Sequence, residues 1–257
     1  MNDMTEKGDQ ELDRPTPPSF TKLLLELALC IVIPVLILRN FSAEDSLGPS
    51  KALIVALFFP LCAGLYDLYK ERKFSLVPTI GFISILLTGG IGVLKLPKEY
   101  IAIKEALVPL GFGLAVVFSI IVKKPFIRSL LFTNVLFDVN KISSKVEENN
   151  KVDELERTMI DATWILAASF LLSSVLNYAL AKWIIVSETG TEAFNKEFGT
   201  MTALSYPVIA LPTMLVTLYA MYFVISRIKR ITGFEFEELF HEDLVAETEE
   251  SDSKTEA

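Results

Sequence analysis

The chain has 257 residues, 51% of them hydrophobic, and a formal net charge of −8. The charge is uneven: residues 1–19 carry −3 and residues 231–257 carry −9, which leaves +4 on the apolar middle. The low pI therefore belongs to the two ends and indicates neither an acidic globular domain nor a basic partner such as a nucleic-acid-binding protein. We expect no nucleic-acid partner for the chain itself.

Both ends of the chain have the composition of disordered segments. The stretch RPTPPS precedes the first apolar run, and AETEESDSKTEA has almost nothing to bury. The N-terminus is acidic and has no small-residue cleavage site, so we do not expect a cleavable signal peptide. We predict disordered acidic tails over residues 1–19 and 231–257.

Six apolar runs in the middle of the chain approach the ~20 residues that cross a bilayer as a helix. They predict an all-α, polytopic membrane protein with a six-helix transmembrane bundle over residues 20–230. The predicted spans are 20–38, 50–69, 75–94, 101–122, 160–184 and 201–226.

The distribution of Lys and Arg predicts the orientation of this bundle, because positively charged loops stay in the cytoplasm. When the loops are numbered alternately, one side collects 17 Lys and Arg residues and the other side 7. We therefore expect both termini and the long loop 123–159 in the cytoplasm.

The long loop begins with KKPFIRSLLFTNVLFDV, which places apolar residues on one side of a helix. This pattern predicts an amphipathic helix on the inner membrane face, with its basic residues toward anionic headgroups. The rest of the loop is polar and should become helical from about Val152. The residues that share one helical line are Ile127, Leu131, Val135 and Asp138.

The C-terminal stretch FEFEELFHEDL also has one apolar helical face, formed by Phe236, Leu239, Phe240 and Leu244. Its other face is acidic, so inner-leaflet headgroups would repel it. We expect it to dock on the basic cytoplasmic loops or on a partner protein.

Small residues recur at four-residue spacing along the spans, which is typical of helix contact faces in lipid. Packing explains this pattern, and a polar substrate path lined by Thr88, Ser169, Ser173 and Asn177 would produce it too. The small-residue series are Ala52, Ala56, Pro60 and Gly64; Ser84, Thr88 and Gly92; Gly111, Ala115 and Ser119; and Ser169, Ser173, Asn177 and Ala181.

Three ionisable residues inside the spans are candidate functional residues, together with Asn177: Glu26, Lys104 and Glu105. An unpaired charge at this depth costs on the order of 2–3 kcal/mol, so each should have a partner. Lys104 and Glu105 are about 100° apart around their helix. We expect them to point to different neighbours, with Lys104 holding the outer helix ends together.

The two halves of the chain begin alike, with Lys22, Glu26 and Pro34 in the first span and Lys104, Glu105 and Pro109 in the fourth. Three spans repeated in this way would be inverted in the membrane, as in many small transporters. The match is short, and an inverted repeat remains an alternative.

The chain resembles the bacterial intracellular septation protein A family of inner-membrane proteins over roughly residues 20–225. The resemblance lies in LLLELALCIVIPVLILRN, SKALIVALFFPLCAGLYDLYKERK and TGGIGVLKLPKEYIAIKEA, and KKPFIRSLL is its most specific part. Glu26 and Lys104 correspond to an acid and a lysine in the family's first and fourth spans. The resemblance implies a non-enzymatic protein of the bacterial inner membrane that contributes to envelope integrity or division.

The sequence has a single His and none of the motifs HExxH, GxSxG or a phosphate-binding Gly-rich loop. We expect no enzymatic activity, no cofactor and no metal. One hypothesis is a scaffold that contacts membrane, division or envelope proteins, or forms homo-oligomers. The alternative is a small secondary transporter or ion-coupled carrier that uses Glu26, Lys104 and Glu105.

Overall fold

The computed structural model describes residues 20–71, 76–131 and 137–239. The tail predictions for residues 1–19, and those for Phe240 and Leu244, lie outside this part of the chain. The prediction of disorder from residue 231 onward is wrong for residues 231–239, because α-helix continues to Thr232 and Leu239 is buried against the rest of the protein. Within the described residues the protein is helical, without a β-strand, as the apolar runs predict.

Eight helices follow one another along the described residues. Two of them contain a π-helical turn, in which the hydrogen bonds run from residue i+5 to residue i. In α1 (20–40) this turn is Ala28–Val32, and in α8 (Glu192–Thr232) it is Tyr206–Ala210. The others are α2 (Pro49–Glu71), α3 (Leu76–Val93), α4 (Glu99–Ile121), α5 (Phe126–Leu131), α6 (Val139–Glu148) and α7 (Val152–Ile184).

Four helices are long and apolar enough to cross a membrane: Pro49–Tyr66, Glu99–Ile121, Val152–Ile184 and Glu192–Thr232. Two shorter apolar helical stretches, Ala28–Asn40 and Thr79–Val93, accompany them. Large apolar side chains such as Leu114, Phe118 and Val175 are more than half exposed on their outer faces. Extended apolar surface of this kind indicates a membrane protein.

The loops lie at two ends of the bundle. The short-loop end has residues 41–48, 94–98 and 185–191, and the long-loop end has residues 122–131, 137–151 and 233–239. Successive long helices run in opposite directions between these ends, and α7 packs closely against both α4 and the second half of α8.

The short-loop core is an apolar cluster to which α1, α2, α3, α4, α7 and α8 contribute. These six are called the long helices below. Helices α2 and α3 approach closely in this core: a Cβ on Gly92 would lie 2.2 Å from Cδ2 of Leu53, so a larger residue would force the Leu53 side chain to move. The buried members are Leu38, Leu53, Ala56, Ile91, Ile101, Ala102, Leu180, Ala181, Ile185, Phe194, Phe198, Met201 and Ile209.

The long-loop core is a second cluster, built from α4 to α8 and the C-terminal segment. Of the described residues, none from α1, α2 or α3 belongs to it. Its buried members are Val116, Ile127, Phe137, Ile142, Val146, Met159, Ala162, Leu166, Ala167, Val224, Ile228, Ile231 and Leu239.

The segment after α8 docks on the long loop of its own chain. Gly233 ends α8 in the left-handed conformation, and a short 3₁₀ turn follows at Glu237–Leu239. Leu239 is fully buried in the long-loop core, and its carbonyl accepts a hydrogen bond of 3.1 Å from the amide of Asp138. Docking on the loop is one of the two outcomes that the apolar face predicts.

The prediction of one amphipathic helix extending to Asp138 is wrong. Asp138 is the N-cap of α6, and its carboxylate accepts a 2.9 Å hydrogen bond from the amide of Lys141. An aspartate stabilises a helix start better than a helix interior. Ile127 of α5 is buried in the long-loop core, so this residue packs against protein. The start of α7 at Val152 is as predicted.

The small-residue faces are buried or half-buried in three of the four predicted cases, with Ala56, Gly92 and Ala181 among the buried positions. The prediction for α4 is wrong, because Gly111 and Ala115 are exposed. The contact face of α4 instead includes Gly113, where a Cβ would lie 3.1 Å from Cβ of Phe170 on α7.

Candidate functional site: a charged pair in a cavity lined by six helices

A cavity of about 600 Å³ opens among the long helices, and each of the six contributes side chains to its wall. Leu38, Phe198, Met201 and Ile209 of the short-loop core bound it on one side. Its polar and helix-breaking lining residues are Cys30 and Pro34 of α1, Pro60 of α2, Ser84 and Thr88 of α3, Lys104 and Glu105 of α4, Ser173 and Asn177 of α7, and Thr202, Ser205, Tyr206 and Thr213 of α8.

Lys104 is 8% exposed, and it is the only buried charged residue among those whose side chains the structure describes. Its Nζ lies 2.8 Å from Oγ1 of Thr88 and 3.1 Å from Oγ of Ser84, and it donates to both hydroxyls. Its third contact is with Oε1 of Glu105 at 2.8 Å. An ammonium group has three donors, so all three are used.

Glu105 faces the same cavity, with 23% of its side chain exposed. The prediction that Lys104 meets a neighbouring helix is confirmed by Ser84 and Thr88, and the prediction that Lys104 and Glu105 point apart is wrong. The four-carbon stem of lysine is flexible, and in an apolar environment pairing opposite charges offsets part of their desolvation cost. These two effects outweigh the 100° between the two positions on the helix.

Helix α3 presents Ser84 and Thr88 to Lys104 because the two residues are four positions apart and share one face. Thr88 also donates to the carbonyl of Ser84 at 3.0 Å. This bond fixes the Thr88 hydroxyl so that its oxygen accepts from the ammonium. The sequence marks both residues as part of a small-residue face, and only the packing identifies them as partners of Lys104.

Asn177 lies in the wall of the same cavity, as does Ser173 one turn before it. Its Nδ2 donates to the carbonyl of Ser173 at 2.8 Å. Ser169 of the predicted polar path points elsewhere: it is 4% exposed and donates to the carbonyl of Thr213 on α8 at 3.0 Å. Ser169 therefore joins two helices, while Thr88, Ser173 and Asn177 line the cavity.

Glu26 lies on the first part of α1, just before the π-helical turn. Its side chain falls outside the described part of the structure. The structure therefore brings together three of the four candidate residues, Lys104, Glu105 and Asn177.

The two π-helical turns both reach the cavity, through Cys30 of α1 and through Tyr206, Ile209 and Ala210 of α8. Prolines accompany them at Pro34, Pro207 and Pro212. A proline has no N–H and prevents the regular bond to the carbonyl four residues earlier. Sequence reasoning missed both turns, although these prolines were their signal.

The charged pair also lies at a proline-disturbed point of its own helix. Pro109 stands inside α4, four residues after Glu105, so the backbone carbonyl of Glu105 has no α-helical donor. The cavity thus combines a neutral ion pair, several hydroxyls and interrupted helices within an otherwise apolar wall. This arrangement can bind a polar or charged group and exchange it for one partner of the ion pair.

No group of three or more His, Cys, Asp or Glu residues suited to a metal ion occurs in residues 20–71, 76–131 and 137–239. The chain matches no protein-family model, no curated protein and no solved structure.

Proposed function

We propose that this protein is a small secondary carrier and that the cavity around Lys104 and Glu105 is its substrate site. The observation that carries this proposal is the contribution of all six long helices to one cavity that contains the charged pair. If the ion pair served only to hold two helices together, a cavity lined by six helices would not be needed around it. Ionisable residues inside a membrane bundle are in general expensive and functional.

The interrupted helices support the same function. In secondary transporters the substrate and the coupling ion bind near the middle of the membrane, at helices that are broken there. The π-helical turns of α1 and α8 occur at the cavity and not at the helix ends. Single π-helical turns inside α-helices are frequent at functional sites.

The distribution of the two cores supports a motion that opens and closes the cavity. Helices α1 to α3 share the short-loop core with the other helices, and the long-loop core, as described, is built without them. A rocking motion about the short-loop core would change access to the cavity without unpacking the long-loop core. Motions of one bundle against another are the usual basis of alternating access.

The proposal includes six membrane crossings, with α1 and α3 as the two additional spans. Helix α3 has 18 residues, a length of about 27 Å, which is close to the hydrocarbon thickness of ~30 Å. The proposed location is the bacterial inner membrane, with the long-loop end in the cytoplasm. The excess of Lys and Arg at that end and the resemblance to septation proteins support this part.

A contribution to envelope integrity or division through protein contacts remains a prediction from the sequence alone. That prediction relies partly on the apolar face of the C-terminal stretch, which would be available to a partner protein. Leu239 of that face is buried against the chain's own loop, so geometry favours the carrier.

Access to the cavity from both sides of the membrane tests the carrier. In a Cys30→Ser/Cys62→Ser background, Ser173→Cys places a thiol on the cavity wall and Val175→Cys places one on the exposed apolar face of the same helix. Sealed vesicles of both orientations are treated with a charged, membrane-impermeant thiol reagent. Ser173→Cys should react from both sides, faster from the long-loop side, and Val175→Cys should react from neither.

Reaction of Ser173→Cys from one side only, or from neither, would contradict a carrier. The orientation is checked in the same vesicles with Glu44→Cys and Glu147→Cys, two exposed loop positions at opposite ends of the bundle. Glu147→Cys should be labelled from the cytoplasmic side and Glu44→Cys from the outer side.

A further inference from the structure

Building on the proposed carrier function, we infer that the cavity binds an organic monoanion together with one proton, the anion at Lys104 and the proton on Glu105. The inference rests on how the donors of Lys104 are used and on the charge of the cavity. It names the chemical class of the substrate and the ion that is coupled to it.

The ammonium of Lys104 has no donor to spare in the unliganded protein. Glu105, Ser84 and Thr88 occupy its three hydrogens at 2.8, 3.1 and 2.8 Å. An anion that binds here must displace one of these acceptors. Glu105 is the only one of the three whose hold on the ammonium is released by protonation, because the hydroxyls are neutral already.

The net charge leads to the same exchange. The pair of Lys104 and Glu105 is neutral, and a bound monoanion alone would give the cavity a charge of −1. An uncompensated charge in an apolar environment is expensive. When a proton from solvent binds to the Glu105 carboxylate, the ammonium pairs with the anion and the sum is zero again. No other bond is made or broken.

The other described elements around the cavity do not disturb this balance. Helix α1 contributes the thiol of Cys30 and helix α8 the phenol of Tyr206, both of which are neutral near pH 7 in their ordinary state. The lining residues of α2, α3 and α7 have no titratable group. Among the described lining residues, the charge of the cavity is therefore set by Lys104 and Glu105.

The rest of the wall selects for an anion with an apolar body. Beyond the hydroxyl and amide groups the lining is aliphatic and aromatic, and the volume of about 600 Å³ accommodates a molecule much larger than a hydrated inorganic ion. An organic carboxylate or sulfonate fits this combination. The apolar lining residues include Val35, Leu57, Ile85, Phe198, Met201 and Ile209.

Calorimetry on the full-length protein in detergent tests the inference, with benzenesulfonate as the probe. This anion stays ionised over the working pH range, so any proton that is taken up enters the protein. Titrations in two buffers of different ionisation enthalpy count the protons bound per anion, and about one is expected. Where Glu105 is ionised in the free protein, the affinity should fall about tenfold per unit increase in pH.

Two variants separate the roles of the pair. Glu105→Gln imitates the protonated acid, so it should bind benzenesulfonate without proton uptake and with little pH dependence. Lys104→Gln/Glu105→Gln is neutral and should remain folded, and loss of the charge-assisted bond should weaken binding about ten- to a hundredfold. Glu99→Gln, an exposed acid in the first turn of α4, should behave like the wild type.

Binding of benzenesulfonate without proton uptake by the wild type would overturn the proton coupling. Failure to bind, or equal binding of the cation phenyltrimethylammonium, would overturn the anion class. Both results leave access to Ser173→Cys from the two sides unaffected, so they are distinct from a failure of the carrier function itself.

Discussion

The two ends of the bundle differ in which helices they hold together. At the short-loop end, all six long helices share one core, and Thr189 of loop 185–191 donates a 2.6 Å hydrogen bond to the carbonyl of Leu96 in loop 94–98. At the long-loop end, a core of similar size joins α4 to α8 and the C-terminal segment, and α1 to α3 are absent from it as far as the chain is described.

For the proposed carrier, this difference predicts that α1 to α3 move against the other helices about the short-loop end. The contacts between α1 to α3 and the other helices are concentrated in the short-loop core. The cavity lies directly next to this core. Breaking contacts at the short-loop end should therefore change both stability and access to the cavity. Breaking contacts at the long-loop end should change stability alone.

The largest effect is expected for Phe194→Ala, because Phe194 is a fully buried side chain in the short-loop core. The free energy of unfolding in detergent should fall by about 3–5 kcal/mol, and Ser173→Cys should react faster from the short-loop side. Ile228→Ala in the long-loop core should cost about 2–5 kcal/mol and leave that reaction rate unchanged. Equal acceleration by both variants would remove the distinction between the two ends.

The next largest effect concerns the charged pair at the cavity. Lys104→Met leaves the carboxylate of Glu105 without its cation and should reduce the free energy of unfolding by about 3–5 kcal/mol. The double variant Lys104→Met/Glu105→Gln should recover most of this loss, since no unpaired charge remains. A double variant as unstable as Lys104→Met would mean that the ammonium matters through its hydroxyl partners alone.

A smaller effect separates two asparagines at opposite ends of the bundle. Asn195 is fully buried and donates to Oγ of Ser42 at 2.9 Å and to the carbonyl of Pro49 at 2.7 Å. Asn195→Ala should cost about 1–3 kcal/mol of unfolding free energy. Asn149→Ala at the long-loop end removes one part-buried hydrogen bond to the carbonyl of Ile231 and should cost less, about 0.5–1.5 kcal/mol. Equal losses for the two variants in denaturant titrations, or a larger loss for Asn149→Ala, would contradict this difference between the ends.

The smallest effect is expected for exposed ion pairs. Lys98 and Glu188 lie 3.7 Å apart at the short-loop end, and Lys229 and Glu235 lie 3.3 Å apart at the long-loop end. Glu188→Gln and Glu235→Gln should each change the unfolding free energy by less than about 1 kcal/mol. Added salt should abolish the effect at both ends. A large effect of Glu188→Gln would instead mean that the pair of Lys98 and Glu188 helps to hold the helices together at the short-loop end.

The sequence predicts the helical architecture well because membrane helices have a strong one-dimensional signal. A run of apolar residues at 50–69 or 160–184 is sufficient to predict a helix there. The start of α7 at Val152 follows from the change from polar to periodic sequence. The same periodicity fails at Asp138, where a local capping bond interrupts a pattern that would otherwise continue.

The site could be predicted only in part. Charges within an apolar run identify Lys104 and Glu105 in the sequence. The cavity that they share is formed by six helices, and the packing of these helices cannot be read from any short stretch of sequence. Gly111 and Ala115 show the same limit: their spacing fits a contact face, and the face of α4 that meets α7 is a different one. The partners Ser84 and Thr88 are ordinary small residues until α3 is placed beside Lys104.

The π-helical turn of α8 also constrains how the length of this chain can change. A π-helical turn holds one residue more than an α-helical turn, and one residue rotates an α-helix by about 100°. Deleting a single residue from Tyr206–Ala210 would therefore convert this turn into a regular α-helical turn and leave Ala220 and Val224 on the same face of the helix. A one-residue deletion between Leu211 and Ala220 would rotate the rest of α8 by about 100°, so homologous chains should tolerate the first deletion and not the second.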